Sequence, residues 1–138
     1  MIIVLGGSGD IGSAVVKSFR ALGHDVLAPL SSDVDLSIAN DVRTFFDSIQ
    51  SAYGLVFSAF VDGRRGESAK EFRVNEAMSA NVAKFSHPRW MVFTSSIAVY
   101  GRQPRIPLRE RTPLDLSGLY ARAKVNAERR FTRAASGN

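Results

Sequence analysis

Within its first dozen residues the chain passes from "MIIVL" through "GGSGDIG" and into a helical pattern. Ile2 to Leu5 is a short, unbroken apolar run, the form taken by a strand buried on both faces. Gly6, Gly7, Gly9 and Gly12 break it, and their spacing satisfies both G-x-x-G-x-x-G (from Gly6) and G-x-G-x-x-G (from Gly7). From Ile11 the period changes, with Ile11, Ala14, Val15, Phe19 and Leu22 at helical spacing and Gly23 as the stop. A strand, a glycine turn and a helix in this order commit the chain to a βαβ beginning. They also prepare an anion site. Glycines let the backbone approach a pyrophosphate closely, and the helix opening at Asp10 and Ile11 turns its first N–H groups toward the charge.

The rest of the chain continues the alternation. "HDVLAPL" is a second strand, "DVDLS" a short third, "GLVFSAF" a fourth and "RWMVFTS" a fifth in which Trp90 is expected in the core. Between them fall a helix capped by Ser37 or Asn40 and running to about Ser51, and a helix over residues 66–86 with Phe72, Met78, Val82 and Phe85 on one side. Pro104, Pro107 and Pro113 keep residues 101–116 irregular. A last helix, capped near Ser117, stacks Leu119, Ala123, Ala127 and Phe131. The expectation is a single α/β domain over residues 1–138, Rossmann-like, with a parallel sheet of about five strands covered by helices on both faces.

Candidate site residues gather where such sheets bind ligands, beyond the carboxyl ends of the strands. "VFTSSIAVYG" runs from a strand straight into three hydroxyls, Thr94, Ser95 and Ser96. Tyr120 and Lys124 lie four apart, so one helix face carries both, and an ammonium beside a phenol lowers the phenol's pKa from about 10. A Y-x-x-x-K of this kind is also a common solvated pair. Asn75 falls on the side of its helix that carries Met78 and Val82, so its amide must find partners. It either orients a loop or water chain or quietly caps a neighbouring strand. After the second strand the acid that commonly holds a ribose 2′-OH is missing, Leu30 standing in its place. Ser31 and Ser32 tilt the cofactor choice between NADP and NAD slightly toward NADP, though no Arg accompanies them. Asp35 is a candidate for the adenine edge, or simply a turn residue ahead of a helix.

Together, "GGSGDIG", "DL" at 35–36, "LVFSAF", "VNEAMSANV", "VFTSSIAVYG" and "YARAK" resemble, in order and spacing, the extended short-chain dehydrogenases/reductases. These are NAD(P)-dependent sugar-nucleotide epimerases, dehydratases and reductases. The resemblance covers nearly the whole chain. It implies that Ser96 binds a substrate oxygen and Tyr120 is the general acid/base. Lys124 would hold the nicotinamide ribose and depress the tyrosine pKa, and Asn75 would be the helix asparagine. It also implies Gly6, Gly9 and Gly12 as the dinucleotide loop, Asp35 and Leu36 as adenine contacts, and Ser58, Ala59 and Phe60 as a cofactor segment. In this last segment Phe60 replaces a small residue usual in the family.

Composition sets the remaining bounds. The absence of cysteine excludes disulfides, thiolate zinc sites and a thiol nucleophile, and suits the cytoplasm. "MIIVL" is too short for a membrane span and follows no basic n-region. A net charge of +5 leans toward anionic partners. The basic residues Arg102, Arg105, Arg109, Arg111, Arg129, Arg130 and Arg133 lack the interleaved aromatics that stack bases, so solvated loops are expected in place of nucleic-acid contacts. The chain ends at Asn138, soon after Lys124, whereas the resembled proteins continue. A truncated fold would leave the last strand as a sheet edge, and a homo-oligomer built through that edge or the 117–133 helix is the corresponding expectation. The function expected is an NAD(P)-dependent oxidoreductase or epimerase acting on a sugar nucleotide or a small carbonyl or hydroxyl compound. The alternative is a dinucleotide-binding module or truncated remnant without turnover.

Overall fold

The structure, a computed structural model, describes residues 1–61, 68–101 and 107–136. Its strands are β1 (Ile2–Leu5), β2 (Val26–Leu27), β3 (Gly54–Phe57) and β4 (Trp90–Phe93). The helices are α1 (Asp10–Ala21), α2 (Ala39–Asp47), α3 (Ala69–Phe85) and α4 (Leu119–Ser136), with a 3-10 turn at Ile97–Tyr100. All strand pairs are parallel, in the order β2-β1-β3-β4. The chain first steps from β1 to β2, then returns over β1 to β3 and goes on outward to β4. Crossovers of one hand running in opposite directions place their helices on opposite faces of the sheet. Accordingly Ile2, Val4 and Val56 pack with Val16 of α1, while Ile3, Leu5, Leu55 and Phe57 pack with Val42, Phe46, Val82 and Phe131 from the other helices.

Two glycines hold the first turn in shape. Gly6 has φ +85°, and a Cβ there would meet the Ala59 backbone N at 2.6 Å. A Cβ on Gly12 would strike the Gly6 carbonyl oxygen, so glycine lets α1 pack directly against the loop.

The sheet has four strands among the described residues, and the third strand expected at 33–37 is a turn. Val34 and Leu36 are buried as their alternation suggests, but the neighbouring polar groups bond locally. The Asp35 carboxylate accepts from the Ser37 N–H at 2.8 Å and its hydroxyl at 2.7 Å, and the Val34 N–H goes to the Leu30 carbonyl. With Ser37 thus engaged and Asn40 accepting from Arg43, α2 begins after Ile38 without a side-chain cap. The helix expected from residue 66 begins at Ala69, behind a capping box formed by Ser68 and Glu71.

Trp90 also departs from expectation. β4 is an edge strand, and on the face away from α3 and α4 its residues Trp90 and Val92 are 43% and 51% exposed. The indole lies over Gly54, whose missing side chain leaves room for it, and touches Phe19 at 6.5 Å between ring centroids.

Candidate functional site

At the carboxyl ends of β1 and β3, where the crossovers diverge, the loops part to form a cleft of about 410 Å³. The glycine turn supplies Gly6, Ser8 and Gly9, the segment after β2 supplies Leu30, Ser31, Asp35 and Leu36, and the segment after β3 supplies Ser58, Ala59 and Phe60. Eight of the residues singled out in the sequence for cofactor contact therefore share one wall: Gly6, Gly9, Ser31, Asp35, Leu36, Ser58, Ala59 and Phe60. Gly12 lies behind the turn. The Asp10 and Ile11 side chains border a different hollow on the outer face of α1, so only the backbone of that first helical turn can serve the cleft. Val74 and Met78, one turn apart on α3, form the apolar far wall. Sequence reasoning placed Met78 in the core and passed over Val74, although their four-residue spacing beside Asn75 was the available signal.

The cleft wall has open space at its glycine turn and one buried hydroxyl without a partner among the described residues. Gly9 precedes α1 with ordinary extended backbone, φ −80° and ψ 172°, and a Cβ there would meet nothing nearer than the Gly6 carbonyl at 3.5 Å. The Ser58 hydroxyl is buried in the cleft wall with no hydrogen-bond partner among the described residues, an orphan that a ligand could satisfy. Neither acid near Ser31 is without an engagement of its own. Asp33 accepts from the Leu30 N–H at 2.8 Å, and Asp35 is held by Ser37, whose hydroxyl and then its N–H keep the carboxyl below the usual range.

Asn75 bonds one residue twice. Its Oδ1 accepts from the Val61 N–H at 2.8 Å and its Nδ2 donates to the Val61 carbonyl at 2.9 Å. These two bonds clamp the backbone that follows Phe60. Asn75, Val61 and Tyr120 also border a crevice of about 10 Å³, room for one water.

Lys124 is buried, 3% exposed, and its Nζ donates to the Thr94 carbonyl at 2.8 Å. The Tyr120–Lys124 pair is therefore not a solvated one on the ammonium side. Burial lowers the Lys124 pKa to about 8 against a smaller opposing pull from Glu128. Three rings surround the ammonium, with centroids at 3.9 Å (Phe60), 4.9 Å (Phe93) and 5.5 Å (Tyr120). Ser96 caps the 3-10 turn, its Oγ accepting from the Ala98 N–H at 3.2 Å, and Ser95 donates to Glu128. The structure thus brings Tyr120 and Lys124 together at the end of β4, beside the segment that carries Ser96, with Asn75 bonded to Val61 nearby. Glu128 was missed in the sequence, although it lies one turn beyond Lys124.

Arg102 and Arg105 fall outside the described residues. Arg130 is not a solvated loop residue: it bonds Glu76 at 2.5 Å and Ser79 at 3.0 Å, tying α4 to α3. No helix among the described residues is long and apolar enough to cross a membrane.

A parallel sheet with helices on both faces, a glycine turn ahead of its first helix and a cleft at its switch point define a Rossmann-like fold. The sequence profile of the NAD dependent epimerase/dehydratase family matches residues 2–137, and the chain belongs to that family. No curated protein matches it. Among solved structures it is similar to the Bordetella bronchiseptica enzyme WbmG in complex with NAD, with TM-score 0.82 and 21% identity over 96% of this chain and 49% of that one. A GDP-L-fucose synthetase from Naegleria fowleri bound to NADP gives TM-score 0.83 and 21% identity over 99% of this chain and 45% of that one. A short-chain dehydrogenase/reductase superfamily protein from Agrobacterium tumefaciens with bound NAD gives 0.78 and 24%, over 94% and 43%. The chain spans half or less of the length of each.

Proposed function

We propose that this chain binds NADP or NAD in the 410 Å³ cleft and serves an oxidoreductase or epimerase reaction on a sugar nucleotide or small carbonyl or hydroxyl compound. The observation that carries the reading is the convergence on that cleft of the Gly6–Gly9 turn, the orphan Ser58 hydroxyl and the apolar Val74–Met78 wall. The glycine turn and the start of α1 would hold the pyrophosphate. Ser31, Asp35 and Leu36 would take the adenosine end, and Ser58, Ala59 and Phe60 would line the path onward. Ser31 at the cleft, with both nearby carboxylates bonded elsewhere, favours NADP.

The cofactor, when bound, supplies hydride acceptance and donation. The chain's own residues would handle the proton. Ser96 Oγ would bond the substrate oxygen, and Tyr120 Oη would take or give its proton. Lys124, charged beside the phenol, would favour the phenolate, and Asn75 would hold the Val61 backbone at the cleft wall. A second reading, a binding module without turnover, is favoured by the Phe60 ring that covers the Lys124 ammonium.

Calorimetric titration with NADP(H) and NAD(H), run on wild type and Gly9→Asp, tests the binding. The backbone at Gly9 accepts a side chain without strain, so a loss of binding in the variant reports on the cleft and leaves folding aside. Micromolar affinity abolished by the substitution supports the proposal, and no affinity for either cofactor overturns it. Turnover that disappears in Tyr120→Phe would separate the enzyme from the binding module.

A further inference from the structure

The cleft and the Tyr120–Lys124 pair are neighbours, and among the described residues the lining of the cleft stops short of the pair. Phe60 belongs to both. Its ring lines the cleft, and the same ring lies 3.9 Å from the Lys124 Nζ and edge-on to Tyr120 at 6.1 Å between centroids. Neither Lys124 nor Tyr120 lines the cleft, and Lys124 is 3% exposed. The ammonium donates to the Thr94 carbonyl and is drawn also to the aromatic faces around it and to the Glu128 carboxylate.

Phe60 is backed by Phe57 at 6.2 Å and Phe93 at 5.8 Å, so packing favours this position of the ring. The residue that follows it, Val61, is the one Asn75 clamps at both its N–H and its carbonyl. Two consecutive residues are therefore fixed, one by ring contacts and one by hydrogen bonds, at the boundary between the cleft and the charged pair.

We infer that Phe60 is a gate: in the resting protein its ring separates the cleft from Lys124 and Tyr120, so that the cleft receives the ADP-ribose part of a dinucleotide while the nicotinamide end meets Lys124 only after the ring turns aside. The inference rests on the cofactor reading above and adds a specificity-determining residue to it. Turning the ring aside gives up its contact with the ammonium, its edge-on contact with Phe57 and its tilted contact with Phe93. That cost is charged against the nicotinamide end alone. Removing the ring should then strengthen the dinucleotide selectively.

The test is calorimetry with matched ligands, NAD against ADP-ribose and NADP against 2′-phospho-ADP-ribose, on wild type, Phe60→Ala and Phe60→Leu. In wild type each pair should bind within about threefold of each other. In Phe60→Ala the ratio of dinucleotide affinity to ADP-ribose affinity should rise roughly tenfold. Phe60→Leu keeps apolar bulk without a flat ring, so it should show a gain in the same direction even if Phe60→Ala fails to fold by circular dichroism. A wild-type protein that already prefers the dinucleotide by more than about tenfold overturns the gate and leaves the cofactor reading standing. So does an unchanged ratio in the folded variants. Absence of binding by all four ligands overturns both.

An independent readout is the Lys124 titration followed by NMR of biosynthetically ¹³Cε-labelled lysines. The ammonium should move up from about 8 toward its ordinary value in Phe60→Ala as water reaches it. A titration that does not move overturns the inference.

Discussion

Replacing Asn75 by Asp changes one atom and asks whether the amide nitrogen matters. The side chain is 2% exposed and bonds the Val61 N–H and carbonyl at once. An ionised carboxyl can still accept from the N–H but faces the carbonyl with an oxygen and no proton. Burial and that facing oxygen both disfavour the charged form, so the new carboxyl should titrate about 2–3 units above its ordinary value. At about 1.4 kcal/mol per unit, the variant should lose roughly 3–4 kcal/mol at pH ~7.5, a large part of a domain's ~5–15 kcal/mol. The sign follows from the raised folded-state pKa. Stability is complete below the unfolded pKa of about 3.9 and is lost as pH rises through the folded value. A protonated carboxyl can donate to the Val61 carbonyl and accept from its N–H, so near pH ~4 the deficit should shrink to about 1 kcal/mol. Urea denaturation of both proteins at the two pH values, followed by circular dichroism, measures it. Asn75→Leu, which loses both bonds, should cost about 2 kcal/mol at either pH. A deficit in Asn75→Asp that is the same at both would refute the argument, because it would mean that nothing depends on the donor.

Two further outcomes follow from the same structure. Lys124 is depressed to about 8 from 10.5, so the unfolded chain holds its proton longer and wild-type stability should gain with rising pH between those values relative to Lys124→Met. Tyr53, raised mainly by burial, contributes equally to both proteins, and parallel denaturation curves across that window would contradict the burial of the ammonium. Gly12→Ala should destabilise by about 2 kcal/mol, since its Cβ would collide with the Gly6 carbonyl oxygen and push α1 off the turn. An unchanged melting temperature would show that the contact is slack.

The parts of the fold legible in the sequence are those in which local chemistry and global packing agree. The β1–turn–α1 unit is one, because an apolar run, a left-handed glycine and a 3.6-residue period admit few other arrangements. The gathering of Gly9, Ser31, Ser58 and Phe60 on one cleft was likewise readable, since parallel strands deliver their carboxyl ends to one side. The segment 33–37 was misread because apolar alternation reports burial, whereas ladder formation also needs free backbone groups, and Asp35 and Ser37 occupy them. Trp90 was misread for a related reason: hydrophobicity gives a residue's preference but not whether its face of an edge strand is covered. The contact of Phe60 with Lys124 joins residues far apart in the chain, and no periodicity encodes it.

The placement of Trp90 has a practical consequence. It is the chain's one tryptophan, and it lies near the amino-terminal start of β4, at the opposite end of the strand from the cleft. Its emission should carry the red-shifted colour of a partly hydrated indole and stay silent to whatever enters between β1 and β3. A shift toward the blue would instead report that something has come to lie on the open edge of the sheet. The molecule thus carries a native optical label on its uncovered side.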